Sequence, residues 1–300
     1  MKIVQLVQDV PTRWNSIFNM LQRLLEQRRA VTLYCAEKGA ATNLDPEQWA
    51  IIETLVQLLM PFEEITRDIS NTRASISLVI PAVKAMTTTL DHEGNDGGVK
   101  ITKAELLRSM KKRFSALECS PLFSIATIVD PRFKMRCFSS EGVKISAKAG
   151  FLLVCEQRSR LTLPLTDGGE PEIKEPDAKR RCISDNSPWA SLDDVLCTTV
   201  PDNELSTSPV ETELATYLSE SLLPRQEDPF LWWKSNRHRF PIMASVARIY
   251  LASPPTSVPS ERVFSTAGDI VSDHRSRLLP ENAERLILLK FNLHLLKSDC

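Results

Sequence analysis

Residues 254–296 read PPTSVPSERVFSTAGDIVSDHRSRLLPENAERLILLKFNLHLL, and this stretch predicts two helices separated by a polar connection. Ser257 is a suitable N-cap for the first helix, because Pro259 then falls in the first turn, where its missing N–H is tolerated. Pro280 begins the second helix, and the acidic residues of its first turn complement the positive end of the helix dipole. The C-terminal end of the chain is therefore predicted to be helical.

The second helix is apolar around more than half of its circumference. Two adjacent stripes produce this pattern, one of Leu286, Leu289, Leu293 and Leu296 and one of Ile287, Phe291 and Leu295. A helix on the surface of one monomer needs a single such stripe. The second helix must therefore either lie between other elements of the same core or meet another chain, and the pattern alone leaves both arrangements open.

Glu261 lies on the first of the two helices, on a polar face that it shares with Ser265 and Gly268. Such a face could present a carboxylate to a cleft. Metal-assisted phosphoryl transfer, however, needs several converging carboxylates, since a hard divalent cation takes about six oxygen ligands. A single glutamate favours a structural role at the helix end, with Arg262 or another base as its partner. The opposite face is predicted to point into the core and contains Val263, Ala267 and Ile270.

The rest of the chain shows mainly helical periodicity. A short strand is predicted at Ile3–Val7, and the stretch CSPLFSIATIVDPRFKMRCF, residues 119–138, is predicted to be irregular. Pro61 is expected to kink or divide the predicted helix that begins at Pro46. The predicted helices run from Thr12 as N-cap to Leu25, from Pro46 past Phe62, and over residues 75–90, 102–117, 142–161, 213–222 and 241–251.

Charge is unevenly distributed along the sequence. The whole chain carries a formal net charge of −1, whereas residues 164–212 contain eleven acidic and four basic residues, a balance of −7, which leaves +6 for the remainder. This segment also holds six prolines and a single aromatic residue, Trp189. We predict that it is a disordered acidic insert, because it offers too little apolar surface to offset the entropy of ordering.

Cysteine and histidine usage argues against a disulfide framework and against a zinc site. The seven cysteines are scattered without a C-x₂₋₄-C pair, as in a reducing compartment. The four histidines have no cysteine or histidine at ligand spacing. Neither a signal peptide nor an apolar run of about 18 residues is present in the sequence, so no membrane association is expected.

Seven blocks of sequence follow one another along the chain. They are QDVPTRWNSIFNMLQRL, LLMPFEEITRDIS, SLVIPAV, TIVDPRFK, ELATYLSE, DPFLWWKSNRHRFPIMASVARIYL and PPTSVPSERVFSTAGDI with RSRLLPENAERLILLKFNL. In this order they resemble the C-terminal half of hAT-superfamily transposases and of their domesticated relatives, the zinc finger BED domain-containing proteins. The resemblance covers nearly the whole chain except the acidic insert.

The resemblance carries expectations about fold and site. It implies an RNase-H-like core interrupted by a helical insertion, with three metal-binding catalytic acids in active relatives. Glu261 matches the third acid, and Arg13 and Trp14 match the family's RW motif, whose tryptophan lies near the transposon end. On helical spacing alone, Trp14 is more simply explained as a core residue with Ile17 and Leu21. The family's first two acids and its BED zinc finger lie upstream of the RW block.

We therefore expect a mostly α fold with a remnant of an RNase-H-like core at its N-terminal strand. Residues 1–163 are expected to form the partial core and the helical insertion, 164–212 the insert, and 213–300 the C-terminal dimerisation region. The expected function is dimerisation of a catalytically incomplete, transposase-derived protein of the nucleus, whose full-length form regulates transcription at DNA or chromatin. A residual DNA transposase with its other acids upstream is the alternative.

The expected partner is a second copy of the chain, bound through Leu286, Ile287, Leu289, Phe291, Leu293 and Leu296. DNA or chromatin association is expected to be weak in this chain, because the basic excess outside the insert is modest and phosphate contacts lose affinity steeply with salt. No catalytic activity and no cofactor are expected, since divalent metal belongs to relatives with all three acids.

Overall fold

The computed structural model describes residues 5–10, 14–38, 44–92, 97–161, 208–271 and 278–296, and these residues are mostly helical. No strand is present among them. The α-helices are α1 (Trp14–Glu26), α2 (Arg28–Lys38), α3 (Pro46–Ile69), α4 (Val79–Asp91), α5 (Lys100–Phe114), α6 (Pro121–Ile128), α7 (Glu141–Leu161), α8 (Pro209–Ser219), α9 (Pro229–Asn236), α10 (Pro241–Tyr250), α11 (Val258–Ile270) and α12 (Pro280–Leu296).

The strand predicted at Ile3–Val7 is not confirmed. Ile3 and Val4 lie outside the described residues, and residues 5–7 have no regular structure. The chain is instead tied to the start of α1 by Ser16, whose hydroxyl accepts from the Val10 N–H at 3.0 Å and donates to the Asp9 carboxylate. A strand must pair its backbone groups with a neighbouring strand, and the described part of the chain supplies none.

A capping box fixes the start of α3. Asp45 accepts from the Gln48 N–H at 2.7 Å while the Gln48 side chain accepts from the Asp45 N–H at 3.0 Å, which is a capping box, and Pro46 follows in the first turn. Pro61 lies inside α3, which continues unbroken to Ile69. The predicted division at this proline is therefore absent, since the flanking backbone remains helical.

A capping box also begins α8, which starts earlier than predicted. Ser208 accepts from the Glu211 N–H at 3.1 Å, and the Glu211 carboxylate accepts from the Ser208 N–H at 3.2 Å. With Pro209 in the first turn, the helix starts at Pro209 rather than at residue 213. The last residues of the predicted acidic insert are consequently helical, and residues 162–207 lie outside the described part.

One hydrophobic core joins the two sides of the insert. The helix α6 lies at its centre and contacts α4, α7 and α10, and α8 packs on α7 and α10. Residues 119–138 were predicted to be irregular, but α6 occupies 121–128 there, and it shows no amphipathic period because it is buried on nearly all sides. The fully buried large side chains include Ile125, Ile128, Phe133, Phe151, Leu214, Tyr217, Phe240 and Met243.

Candidate assembly surface

The turn after α6 attaches the C-terminal helices to the core. Asp130 is fully buried, and its carboxylate accepts from the Ser77 hydroxyl at 2.6 Å. It also accepts three bonds from Arg132: from the backbone N–H at 3.0 Å, from Nε at 2.9 Å and from Nη2 at 2.7 Å. Arg132 thus supplies a bidentate ion pair inside the protein. The Ser77 bond is buried and the three Arg132 bonds are largely buried, so removing the carboxylate would leave several donors without an acceptor.

Lys134, two residues further on, links this turn to α8. Its backbone has φ 50°, and its ammonium donates to the carbonyls of Tyr217 and Glu220 at 2.5 and 2.6 Å. Burial lowers the pKa of Lys134 to about 8. The ammonium lies 4.7 Å from the centre of the Tyr217 ring, an additional cation–π contact.

Aromatic side chains complete this attachment. The Tyr217 hydroxyl donates to the carbonyl of Ile128 at 3.1 Å, and the Trp233 indole N–H donates to the carbonyl of Val129 at 2.8 Å. Both acceptors are at the end of α6, whose last carbonyls would otherwise be buried without partners. The helices α8, α9 and α10 are therefore part of the core and are not an appended unit.

The helices α11 and α12 pack against each other beyond this core and expose many apolar side chains. Phe264 on α11 is 75% exposed, and Leu279, just before α12, is 63% exposed. On α12, Leu288 is 60% exposed. Water is in contact with a large apolar area here, and an exposed apolar patch of this kind typically marks a binding site for another protein.

The residues predicted for dimerisation all lie on α12. Four of them are exposed by between 38% and 47%, namely Leu286, Leu289, Phe291 and Leu293. Ile287 is half-buried. Leu296 is the last residue of the helix, and its side chain lies outside the described part. The leucine stripe of Leu286, Leu289 and Leu293 therefore points away from this chain's own core.

Glu261 lies in the first turn of α11 and is exposed. Its carboxylate accepts a 2.6 Å hydrogen bond from the hydroxyl of Ser257, which occupies the N-cap position without capping a backbone N–H. On the predicted inward face, Ile270 is buried, and Val263 and Ala267 are half-buried. The described residues contain no group of three His, Cys, Asp or Glu side chains that could hold a metal ion.

The two residues predicted from the RW motif receive no test of their role. Arg13 lies outside the described residues, and Trp14 is the first residue of α1, with its side chain outside the described part.

The sequence prediction also missed Asp130 and Lys134. A signal was available in TIVDPRFK, because charged residues directly after an apolar helix must either reach solvent or form buried ion pairs.

Comparison with known proteins assigns the class of this C-terminal part. Residues 213–293 match the hAT family C-terminal dimerisation region. The match contains α9 to α11 and most of α8 and α12. It therefore includes the helices that pack into the core and also the exposed pair α11 and α12, here called the apolar hairpin. The chain thus carries a hAT-type dimerisation region, and the resemblance predicted from its sequence blocks is confirmed.

Relatives that match nearly the whole chain include zinc finger BED domain-containing proteins. The chain is 28% identical to zinc finger BED domain-containing protein 4 of Homo sapiens over 97% of its own length and 24% of that protein. It is also 28% identical to zinc finger BED domain-containing protein RICESLEEPER 2 of Oryza sativa subsp. japonica, over 94% of its length and 42% of the relative. The chain therefore spans between a quarter and about two fifths of these proteins.

In the described part of the chain, the helices are all too short or too polar to cross a membrane.

Proposed function

We propose that this chain forms a homodimer through α11 and α12, as the assembly module of a domesticated hAT transposase-like nuclear protein that lacks transposase activity. The observation that supports the proposal most directly is the exposed stripe of Leu286, Leu289 and Leu293 within the matched dimerisation region. In its longer form the protein would act in transcriptional regulation at DNA or chromatin, in keeping with the BED zinc finger named in its relatives.

A two-fold arrangement fits the stripe well. In a dimer with two-fold symmetry, the same patch of both subunits meets, so a self-complementary apolar helix face is sufficient. Burial of the exposed parts of these leucines and of Phe291 contributes roughly 25 cal/mol for each Å² removed from water. Phe264 on α11 and Leu279 just before α12 are also exposed, and they would add apolar area if the interface includes them.

The finer assignments rest on the family resemblance. We assign residues 1–163 to the edge of an RNase-H-like core with its helical insertion, and residues 213–300 to dimerisation. Glu261 has a structural role at the start of α11, since its hydrogen bond to Ser257 stabilises the first turn of that helix. The association of this chain with DNA is expected to be weak and dependent on salt.

Light scattering of the whole chain tests the proposal. The unaltered chain is expected to have twice the monomer mass over an about tenfold range of concentration above the dissociation constant, because mass action favours the dimer there. The variant Leu289→Asp with Leu293→Asp should be a folded monomer, since dimerisation would bury two unpaired carboxylates from each chain. Circular dichroism verifies that the variant keeps its helices.

Leu153→Asp is the matched control. Leu153 is 60% exposed on α7, outside the matched region, so this substitution should leave the dimer intact. A wild-type chain that stays monomeric at the highest concentration would refute the proposal. A dimer that survives Leu289→Asp and Leu293→Asp would place the interface elsewhere.

A further inference from the structure

A groove lies between α9 and α10. These helices precede the apolar hairpin in the sequence, and the groove does not include the leucine stripe of α12. Its volume is about 440 Å³, and Trp233, Ala247 and Leu251 form buried parts of its wall. Phe230 lines the same groove and is 40% exposed. The groove therefore offers an apolar floor with one aromatic side chain accessible to a ligand.

Cations surround this apolar floor. Lys234, Arg237 and Arg248 line the groove and are exposed. Within the described residues, none of the three lies in a salt bridge with a carboxylate, whereas the neighbouring Arg239 pairs with Glu220. The sequence contains no aspartate or glutamate from 229 to 260. Since no acid among the described residues pairs with them, these three cations favour an anionic partner.

The combination selects a particular ligand chemistry. An apolar floor with a basic rim fits a peptide that carries large apolar side chains next to carboxylates. Nucleic acid fits less well, because phosphate contacts need no apolar floor. Moreover, the Trp233 ring is 6% exposed and its N–H is bonded to Val129, so Phe230 is the one aromatic ring of the groove that a base could stack on.

The chain itself contains a sequence with this chemistry. Residues 188–197 read PWASLDDVLC and place Trp189, Leu192 and Leu196 around the acidic pair Asp193 and Asp194. Trp189 is the only aromatic residue between positions 162 and 207, and the charge of this part of the sequence is opposite to that of the groove. Apolar anchors and carboxylates thus occur together in one short stretch.

We propose that the groove between α9 and α10 is a docking site for residues 188–197 of this chain. Trp189 and the leucines contact the apolar floor, and Asp193 and Asp194 pair with the basic rim. The site is independent of the leucine stripe on α12, so the docking and the proposed dimerisation can fail or succeed separately.

Fluorescence anisotropy with a labelled peptide of residues 186–199 tests the docking. The receptor is the full chain with Trp189→Ala, Leu192→Ala and Leu196→Ala, which removes the competing segment. We expect saturable binding to this receptor and binding weaker by about tenfold or more when Lys234→Glu and Arg248→Glu are added, since both attraction and desolvated pairing are lost. The chain with its own segment unaltered should bind the added peptide more weakly than the receptor does.

Two controls separate docking from general charge attraction. Lys112→Glu and Lys148→Glu reverse the same number of charges at exposed positions on α5 and α7 and should leave peptide affinity unchanged. A peptide with the same composition in scrambled order should not bind. Circular dichroism is used to confirm that the groove variant remains folded.

Three results would overturn the proposal. They are equal peptide affinity in the groove variant and the charge control, equal affinity for the scrambled peptide, and the absence of any binding to the receptor. Displacement of the peptide by a duplex oligonucleotide, with loss of oligonucleotide binding in the Lys234→Glu and Arg248→Glu variant, would assign the groove to nucleic acid instead.

Discussion

Replacing Asp130 by alanine should be one of the most damaging single changes in this protein. The carboxylate accepts four hydrogen bonds, one from Ser77 and three from Arg132, and it is fully buried. Removing it leaves the Arg132 guanidinium, whose side chain is 10% exposed, without its counter-ion. The buried Ser77 hydroxyl loses its acceptor as well.

The size of the effect follows from the burial of these groups. Breaking a buried ion pair by removing one partner typically costs about 3–5 kcal/mol. Because a folded domain is stable by only about 5–15 kcal/mol, this loss could unfold much of the population. Asp130→Asn keeps the shape, but it removes the counter-ion and turns one acceptor oxygen into an NH₂ donor that faces a donor of Arg132, so it should cost a similar amount, about 3–5 kcal/mol.

Urea unfolding followed by circular dichroism measures these losses. All variants are compared at one protein concentration, because dimerisation would otherwise change the apparent stability. A double-mutant cycle of Asp130→Ala with Arg132→Met isolates the pair, and we expect the double variant to lose less than the sum of the single variants by about 1.5–3 kcal/mol. The exposed ion pair of Glu105 and Arg108 is the control, and Glu105→Ala should produce no measurable loss.

The prediction has a clear point of failure. A loss below about 1 kcal/mol for Asp130→Ala would mean that water or another group replaces the carboxylate, which the buried geometry does not allow. An additive cycle would likewise refute the assignment of the stabilising energy to the pair. In either case the pair of Asp130 and Arg132 would not be what stabilises the turn after α6.

Two further predictions concern thiols and a helix cap. Burial raises the pKa of both Cys137 and Cys155 to about 12, whereas Cys119 is exposed. Iodoacetamide at pH 8 should therefore label Cys119 in the native chain and reach the other two only after unfolding, as peptide mass spectrometry would show. Rapid labelling of Cys155 in the native chain would contradict this packing. Ser208→Ala removes the cap of α8 and should cost about 0.5–2 kcal/mol in urea unfolding, and recovery with Ser208→Asp but not with Ser208→Val would identify the cap as the cause.

Some elements could be predicted from the sequence because their signals are local. Asp45 followed by Pro46 starts α3, and Pro280 starts α12, since capping and the fixed φ of proline act within one turn. The apolar character of α12 was equally visible, but whether it faced a core or water depended on the rest of the fold. Only the structure shows that Leu289 is 47% exposed.

The elements that were missed depend on contacts between distant residues. The helix α6 carries no polar face, so a search for amphipathic periods passes over it. Asp130 is stable in the interior only because Ser77 and Arg132 reach it, and Ser77 is 53 residues away in sequence. The start of α8 does not depend on distant contacts, because Ser208 and Glu211 form a capping box whose residues are only three positions apart in the sequence.

The dimerisation region is thus divided between two physical roles. Its first part, α8 to α10, is held by Lys134 and by the hydrogen bonds of Tyr217 and Trp233 to the end of α6. The following segment is anchored as well, since the Ile76 N–H donates to the Ser253 carbonyl at 2.9 Å just before α11. The apolar hairpin therefore projects from a fixed base. Substitutions in the first part should reduce stability, and those on α12 should change assembly while the fold persists.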